Sequence, residues 1–282
     1  MLLHPFTLYR PETLKEALNL FSSLEDAQIL AGGTFLINRL KVLRKKGLKT
    51  PRNIISLRKI QEINGITEDK NTIHIGAMTT ISEIYGSAIL KESLSVLPCA
   101  CKNLGTTTIR NMATLGGNLT CRYTWTEMPC VLSALDAKLT FQGKDLQKEV
   151  IPVNEFFKAQ AKTDKILTHI SLRKEKNTKA IYKRIPKRAE VDIPLLAVCM
   201  KAEKDKKIFK KTRVAINNTT QFVQRDTALE DFLNSTKLEK NTAKDCLKHL
   251  TAEIYDTKSD DYKKHIFRVT IKNMVQELME SQ

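Results

Sequence analysis

Apolar residues recur first at helical intervals and then in short alternating runs, and this rhythm divides the chain. After "RPET" they fall at Leu14, Ala17, Leu18, Phe21 and Leu24, the spacing of one buried helical face. Glu12 or Thr13 stands where a helix would open. "AQILAGGT" reads as a short buried strand ending in a glycine turn. A basic helical stretch follows, and "PRNIISL" reads as a second strand. "NTIHIGAMTT" alternates Ile73 and Ile75 with polar neighbours before the same small-residue ending. Helices are expected across 80–104, a glycine-rich loop over 109–119, a helix over 129–136 and a strand in "AKLTF".

From about residue 150 the texture changes. "DKILTHISL", "KAIYKRI", "LLAVCMKAE" and "TRVAINNT" read as consecutive strands of an antiparallel sheet. Helical patterns close the chain over 226–235, 239–251 and 259–280, and in the last Tyr262, Ile266, Val269 and Leu278 mark one apolar face. Composition sets a boundary near residue 175, in "RKEKNTK".

The 282 residues suffice for a sizeable core, and 41% hydrophobic with 28% charged residues describes an ordinary globular protein. No stretch reaches the roughly 18 uncharged apolar residues of a membrane span. The opening "MLLHPFTLYRPETL" lacks a basic lead before a long apolar run, so a cytoplasmic location is expected. The net charge of +16 suits nucleic acid, acidic lipid or an acidic protein. It is clustered: no acidic side chain lies between Ala27 and Gln61, and "KAEKDKKIFKKTR" forms a second basic run. With 6% aromatics and no docking motif, nucleic acid is not the expected partner.

Six cysteines without a CxxC pair fit a reducing compartment and exclude a zinc ribbon. Cys99, Cys101, Cys121 and Cys130 are near enough in sequence to raise an iron–sulfur cluster, against the simpler reading of buried or loop thiols. The histidines are scattered, and no nucleophile–base or metal-triad pattern appears, so no catalytic residue is assigned.

Two glycine pairs carry the chemistry. "LAGGT" at 30–34 and "TLGGN" at 114–118 are bare backbones flanked by hydrogen-bonding side chains. Such turns let amides converge on an anion, commonly a phosphate. Together, with Thr34, Thr114 and Asn118, they fit one elongated ligand with a central pyrophosphate. Neither GxGxxG nor GxxxxGK[ST] is present, so the site is neither a Rossmann unit nor a P-loop.

"ILAGGTFLI", then "TTIRNMATLGGNL" and "LSALDAKL", resemble the FAD-binding medium subunit of the molybdenum hydroxylases, the xanthine dehydrogenase and carbon monoxide dehydrogenase family. "YKRIPKRAEVDI" at 182–193 is similar to a lysine-and-arginine strand that this family places near the flavin. The resemblance spans essentially the whole chain. It implies an α+β protein. A two-lobed FAD-binding domain of the vanillyl-alcohol-oxidase (PCMH-like) type would cover 1–175, with lobes of about 1–57 and 58–175. An antiparallel sheet with C-terminal helices, like the CO dehydrogenase flavoprotein C-terminal domain, would cover 176–282.

By the same resemblance Leu30, Ala31, Gly32, Gly33, Thr34, Phe35, Leu36 and Ile37 would cradle the pyrophosphate of non-covalent FAD, with Thr114, Gly116, Gly117 and Asn118. Leu167 and Lys183 fall at flavin-contacting positions; a core leucine and a solvated strand lysine are the alternatives. Arg110 and Asn111 are candidates for holding the loop's shape. One departure stands out. The loop "NLTCRYTWTEMP" brings Arg122, Tyr123 and Trp125, and puts Glu127 where the family has an aspartate. The two rings suit either stacking on the cofactor or an interface.

The implied function is electron exit. Electrons would come from a large molybdopterin subunit through a small 2Fe–2S subunit to this flavin, and leave to NAD or another acceptor. The basic surface would dock acidic partner subunits. The rival class is a non-catalytic basic binding or assembly module on a degenerate flavin fold.

Overall fold

The computed structural model describes residues 3–158, 164–188, 192–256 and 260–280. Residues 189–191 of the "YKRIPKRAEVDI" stretch and residue 259 of the last helical pattern lie outside the described residues.

The first lobe comprises β1 (Thr7–Tyr9), α1 (Leu14–Ser23), β2 (Ala27–Leu30), α2 (Leu36–Lys45) and β3 (Asn53–Ser56), with a parallel sheet ordered β1-β3-β2. Thr13 caps α1, its hydroxyl accepting from the Glu16 amide at 3.2 Å. Of the expected face, Leu14, Ala17 and Leu18 are buried with Ile55 and Ile63, and Phe21 and Leu24 pack against them partly buried. In α2 only Leu40 is buried, so this basic helix lies on the surface.

The second lobe follows with β4 (Ile66–Glu68) and β5 (Thr72–Gly76), then six short helices: α3 (Ile81–Gly86), α4 (Ala88–Ser93), α5 (Val96–Cys101), α6 (Thr107–Met112), α7 (Leu115–Thr120) and α8 (Met128–Ala134). β6 (Lys138–Gln142), β7 (Lys148–Pro152), α9 (Val153–Lys158) and β8 (Ile166–Arg173) complete it. Its antiparallel sheet is ordered β4-β5-β8-β6-β7. The third unit holds β9 (Thr178–Ile185), β10 (Leu196–Asp205), β11 (Ile208–Asn217) and β12 (Gln224–Arg225) in one antiparallel sheet. It ends in α10 (Thr227–Ser235), α11 (Thr242–Asp245), α12 (Ala252–Asp256) and α13 (Asp261–Glu280).

Four expectations need correction. The glycine-rich stretch 109–119 is two short helices, α6 and α7, started by Thr106 and Thr114 as side-chain caps. "DKILTHISL" does not pair with the strand after it: β8 sits between β5 and β6, where Ile170 faces Ile75 and Leu139 across the ladders. The pattern over 239–251 is α11 followed by a 3-10 turn at Cys246–His249. The buried face of α13 is Lys263, Phe267, Thr270, Ile271, Met274, Val275 and Leu278, whereas Tyr262 is 64% exposed. Two polar positions disguise that face, because the Lys263 ammonium is tied to the Asn218 carbonyl.

Charged and apolar contacts bind the second lobe to the C-terminal sheet. Asp136 accepts from Arg213 at 2.8 Å and Arg225 at 2.9 Å, and buried Lys201 lies 3.4 Å away. Cys130 Sγ donates to the Ala215 carbonyl at 3.2 Å, so α8 lies directly against β11. Phe267→Ala is expected to lower stability by about 3–5 kcal/mol, the cost of a buried aromatic cavity. Tyr262→Ala should stay within about 0.5 kcal/mol of wild type, and urea denaturation of both variants checks which face of α13 is packed.

Candidate functional site

The two glycine motifs meet backbone to backbone. A Cβ on Gly32 would stand 1.9 Å from the Met112 carbonyl oxygen, and one on Gly117 would lie 3.5 Å from the Ala31 side chain. Gly116 is pressed on β5's exit, where a Cβ would come within 2.7 Å of the Ala77 side chain. Bare backbone is needed here first to let two segments distant in sequence touch.

The motifs differ in what they leave for a ligand. After the turn at Gly33, whose φ is +74°, α2 begins, and the amides of residues 32–36 donate to no carbonyl or side chain among the described residues. Phe35 caps α2 without a side-chain bond. Five consecutive free amides at the start of a ten-residue helix form an anion cradle, reinforced by the helix dipole.

The second motif has spent the four amides of residues 115–118. Leu115 donates to the Thr79 carbonyl (3.0 Å), Gly116 to the Ala77 carbonyl (2.9 Å), Gly117 to the Thr114 hydroxyl (3.1 Å) and Asn118 to the Thr114 carbonyl (2.9 Å). The expectation that both glycine pairs offer amides to one anion is therefore corrected: the Gly116 and Gly117 amides are already bonded, and those of Gly32 and Gly33 are not. The second contributes close packing and one polar group, the Asn118 Oδ1, buried without a partner. A buried acceptor left unpaired is costly, and a donor on a ligand lying between the motifs would satisfy it. Free amides for phosphate and an orphaned acceptor beside them fit a dinucleotide such as FAD.

The other expected residues fall in different places. Leu30, Ala31, Thr34, Leu36 and Ile37 are half-buried along the cradle, and Thr114 is buried between it and β5. Arg110 holds its own loop, donating to the Gly105 carbonyl at 2.8 Å, and the Ser82 hydroxyl donates to Asn111 at 2.5 Å. Leu167 is buried in the core of the second lobe. Lys183 is not brought to the glycine motifs: its ammonium pairs with Glu277 of α13 at 2.8 Å. Alternation along β9 sends Tyr182 and Arg184 the opposite way.

Those two residues meet Glu127, a contact that sequence reasoning missed. The Glu127 carboxylate is 5% exposed and accepts from the Tyr182 hydroxyl and from Arg184 Nε at 3.1 Å. Burial raises its pKa, with the Tyr182 hydrogen bond and the Arg184 charge pulling back. Burial also holds the Tyr182 phenol protonated, as a donor. Arg184 continues the chain of contacts to Asp192 at 2.8 Å, which also accepts from the amides of Lys187 and Arg188. The only signal in the sequence was the period-2 register of "YKR" opposite a lone buried acid.

The cysteines do not gather. Cys101 Sγ rests 3.8 Å from Met128 Sδ and Cys121 Sγ donates to the Asn118 carbonyl at 3.3 Å, while Cys130 faces the C-terminal sheet. Among the described residues no group of three or more His, Cys, Asp or Glu side chains is placed to hold a metal ion. Nor is any described helix long and apolar enough to cross a membrane.

Residues 4–173 match the family described as the FAD binding domain in molybdopterin dehydrogenase, and residues 180–278 match the CO dehydrogenase flavoprotein C-terminal domain. The chain belongs to this family of FAD-binding subunits. It is 26% identical to the glyceraldehyde dehydrogenase medium chain of Sulfolobus acidocaldarius, over 88% of each protein. It is 26% identical to the xanthine dehydrogenase FAD-binding subunit of Escherichia coli O157:H7, over 73% of this chain and 72% of the relative. A solved carbon monoxide dehydrogenase from Hydrogenophaga pseudoflava superposes with a TM-score of 0.89 at 24% identity, covering 97% of this chain and 96% of that one. That likeness establishes the fold.

Two outcomes are expected. Gly32→Ala must push the motifs apart by the overlap with the Met112 carbonyl, lowering stability by about 2 kcal/mol or more; thermal unfolding reads it. For Asp192, burial raises the pKa, but bonds from Arg184, Arg188 and Lys187 outweigh it and hold the carboxyl below its ordinary value. A depressed carboxylate stabilises the fold above its unfolded pKa of roughly 3.9, and that stability is lost as pH falls through the folded value. Asp192→Asn should therefore melt below wild type near neutrality, with the gap closing under about pH 4; melting curves across that range check the sign.

Proposed function

We propose that this chain is the FAD-binding electron-transfer subunit of a multi-subunit molybdenum hydroxylase. It would receive electrons from the iron–sulfur clusters of a small partner subunit, served by a large molybdopterin subunit, and pass them to NAD or another acceptor. The observation that carries this reading is the cradle: free amides of 32–36 packed against a motif whose Asn118 Oδ1 is buried without a partner. Family membership over both matched segments supports it, as does the relatives' description as medium chains. On this reading 1–175 and 176–282 act as two domains with the cofactor held by the first.

Bound FAD supplies exchange between one-electron and two-electron carriers. The protein's part is binding and orientation. The amides of 32–36 hold the negative pyrophosphate, Thr34 lends a hydroxyl, and Asn118 accepts a proton donor of the cofactor. Glu127, pinned by Tyr182 and Arg184, fixes the loop that follows the second motif on the C-terminal sheet instead of offering its carboxylate. No side chain here is assigned to substrate chemistry.

The purified chain, alone or co-expressed with its partner subunits, should carry FAD with absorbance near roughly 370 and 450 nm. Asn118→Ala should weaken FAD retention by about tenfold, the worth of one buried hydrogen bond. A colourless protein that refuses added FAD, alone and with its partners, contradicts the proposal and leaves a basic assembly module as the better reading.

A further inference from the structure

The loop after the second glycine motif brings two aromatic rings, Tyr123 and Trp125, onto Phe35 at the start of α2. Tyr123 lies 4.4 Å from Phe35 and 5.3 Å from Trp125, centroid to centroid, and Phe35 lies 6.2 Å from Trp125. Phe35 is itself one of the residues whose amide is free, so the ring cluster begins where the anion cradle ends. The chain has few aromatics, yet three sit together here with Tyr123 at 38% exposure and the other two half-buried. An aromatic cluster left partly in water gains by being covered with another flat ring.

The mount is rigid. Arg122 has its guanidinium over the rings of Phe156 and Phe222, at 5.1 and 4.7 Å. The Thr126 hydroxyl donates to the Tyr123 carbonyl at 2.8 Å, and Asn217 donates to the Thr126 carbonyl at 2.6 Å. Glu127 ends the loop in its buried contacts with Tyr182 and Arg184. Pre-ordered rings lose little freedom when a ligand stacks on them.

We propose that Phe35, Tyr123 and Trp125 form a stacking shelf for a planar heteroaromatic ring joined to the diphosphate held by residues 32–36. The proposal rests on the FAD reading and deepens it, because it names the residues that recognise a ring as distinct from phosphate. The ring is adenine or isoalloxazine; both present a flat face at the end of the same pyrophosphate.

Trp125 is the single tryptophan of the chain, so its emission reports the shelf directly. The full chain, freed of flavin, is titrated with FAD, ADP and FMN while Trp125 emission is followed. Bound flavin is counted in parallel by ultrafiltration and absorbance. FAD is expected to change the emission, and Tyr123→Leu to raise the Kd for FAD about tenfold or more, with Tyr123→Phe within about twofold of wild type. A response to ADP assigns the shelf to adenine and a response to FMN to isoalloxazine, and either supports the proposal. An unchanged Kd in Tyr123→Leu overturns the shelf while retained FAD leaves the cradle standing. A wild-type chain that binds no FAD by ultrafiltration overturns both.

Discussion

The contact on which the rest of the site depends is the approach of Gly32 to the Met112 carbonyl. It joins the first lobe, with its parallel sheet, to the helical edge of the second, and it leaves no room for a Cβ. Because those backbones touch, Ala31, just ahead of the free amides, lies against Gly117, the neighbour of Asn118. On the proposed reading, separating them by the width of one methyl group would stop the anion cradle and the orphaned acceptor from serving one ligand. Glycine gives up more conformational freedom on folding than any other residue; here that cost secures a junction that leaves no room for a Cβ.

A second constraint acts from the far side. Glu127 is a buried carboxylate, and a buried charge is tolerable only when paired and fully hydrogen-bonded. Tyr182 and Arg184 meet that need from β9, and Asp192 balances the arginine in turn. Together with the Asp136 cluster on Arg213 and Arg225, this fixes the loop at 121–127 on the C-terminal sheet. Glu127 is thus a strut, and the loop it steadies carries the rings of Tyr123 and Trp125.

Much of this was legible in the chain. The two glycine motifs carried the resemblance that implied the α+β fold, and the basic helix between the first strands and the periodicity of α1 appear in the structure as read. What stayed hidden was pairing at a distance. "DKILTHISL" is strand-like by pattern, but nothing local says that Ile170 belongs between Ile75 and Leu139. The α13 face was misread because Lys263 and Thr270 are buried in it while Tyr262 and Val269 are exposed. Composition could not show that "TLGGN" has its amides already bonded to Thr79, Ala77 and Thr114, since those acceptors come from elsewhere in the fold or from the cap itself. Lys183, by contrast, lies where the sequence itself puts it: strand alternation sends it opposite Tyr182 and Arg184, toward Glu277 of α13.

The central claim is that FAD is held by the amides that open α2 while the second motif contributes its packing and Asn118. Amide hydrogen exchange with and without FAD tests it most directly. Residues 32–36 should gain protection on binding, and residues 115–118, whose amides are already bonded, should change little. Protection appearing in 115–118 alone, or nowhere in either motif while FAD is demonstrably bound, would contradict this account of the site.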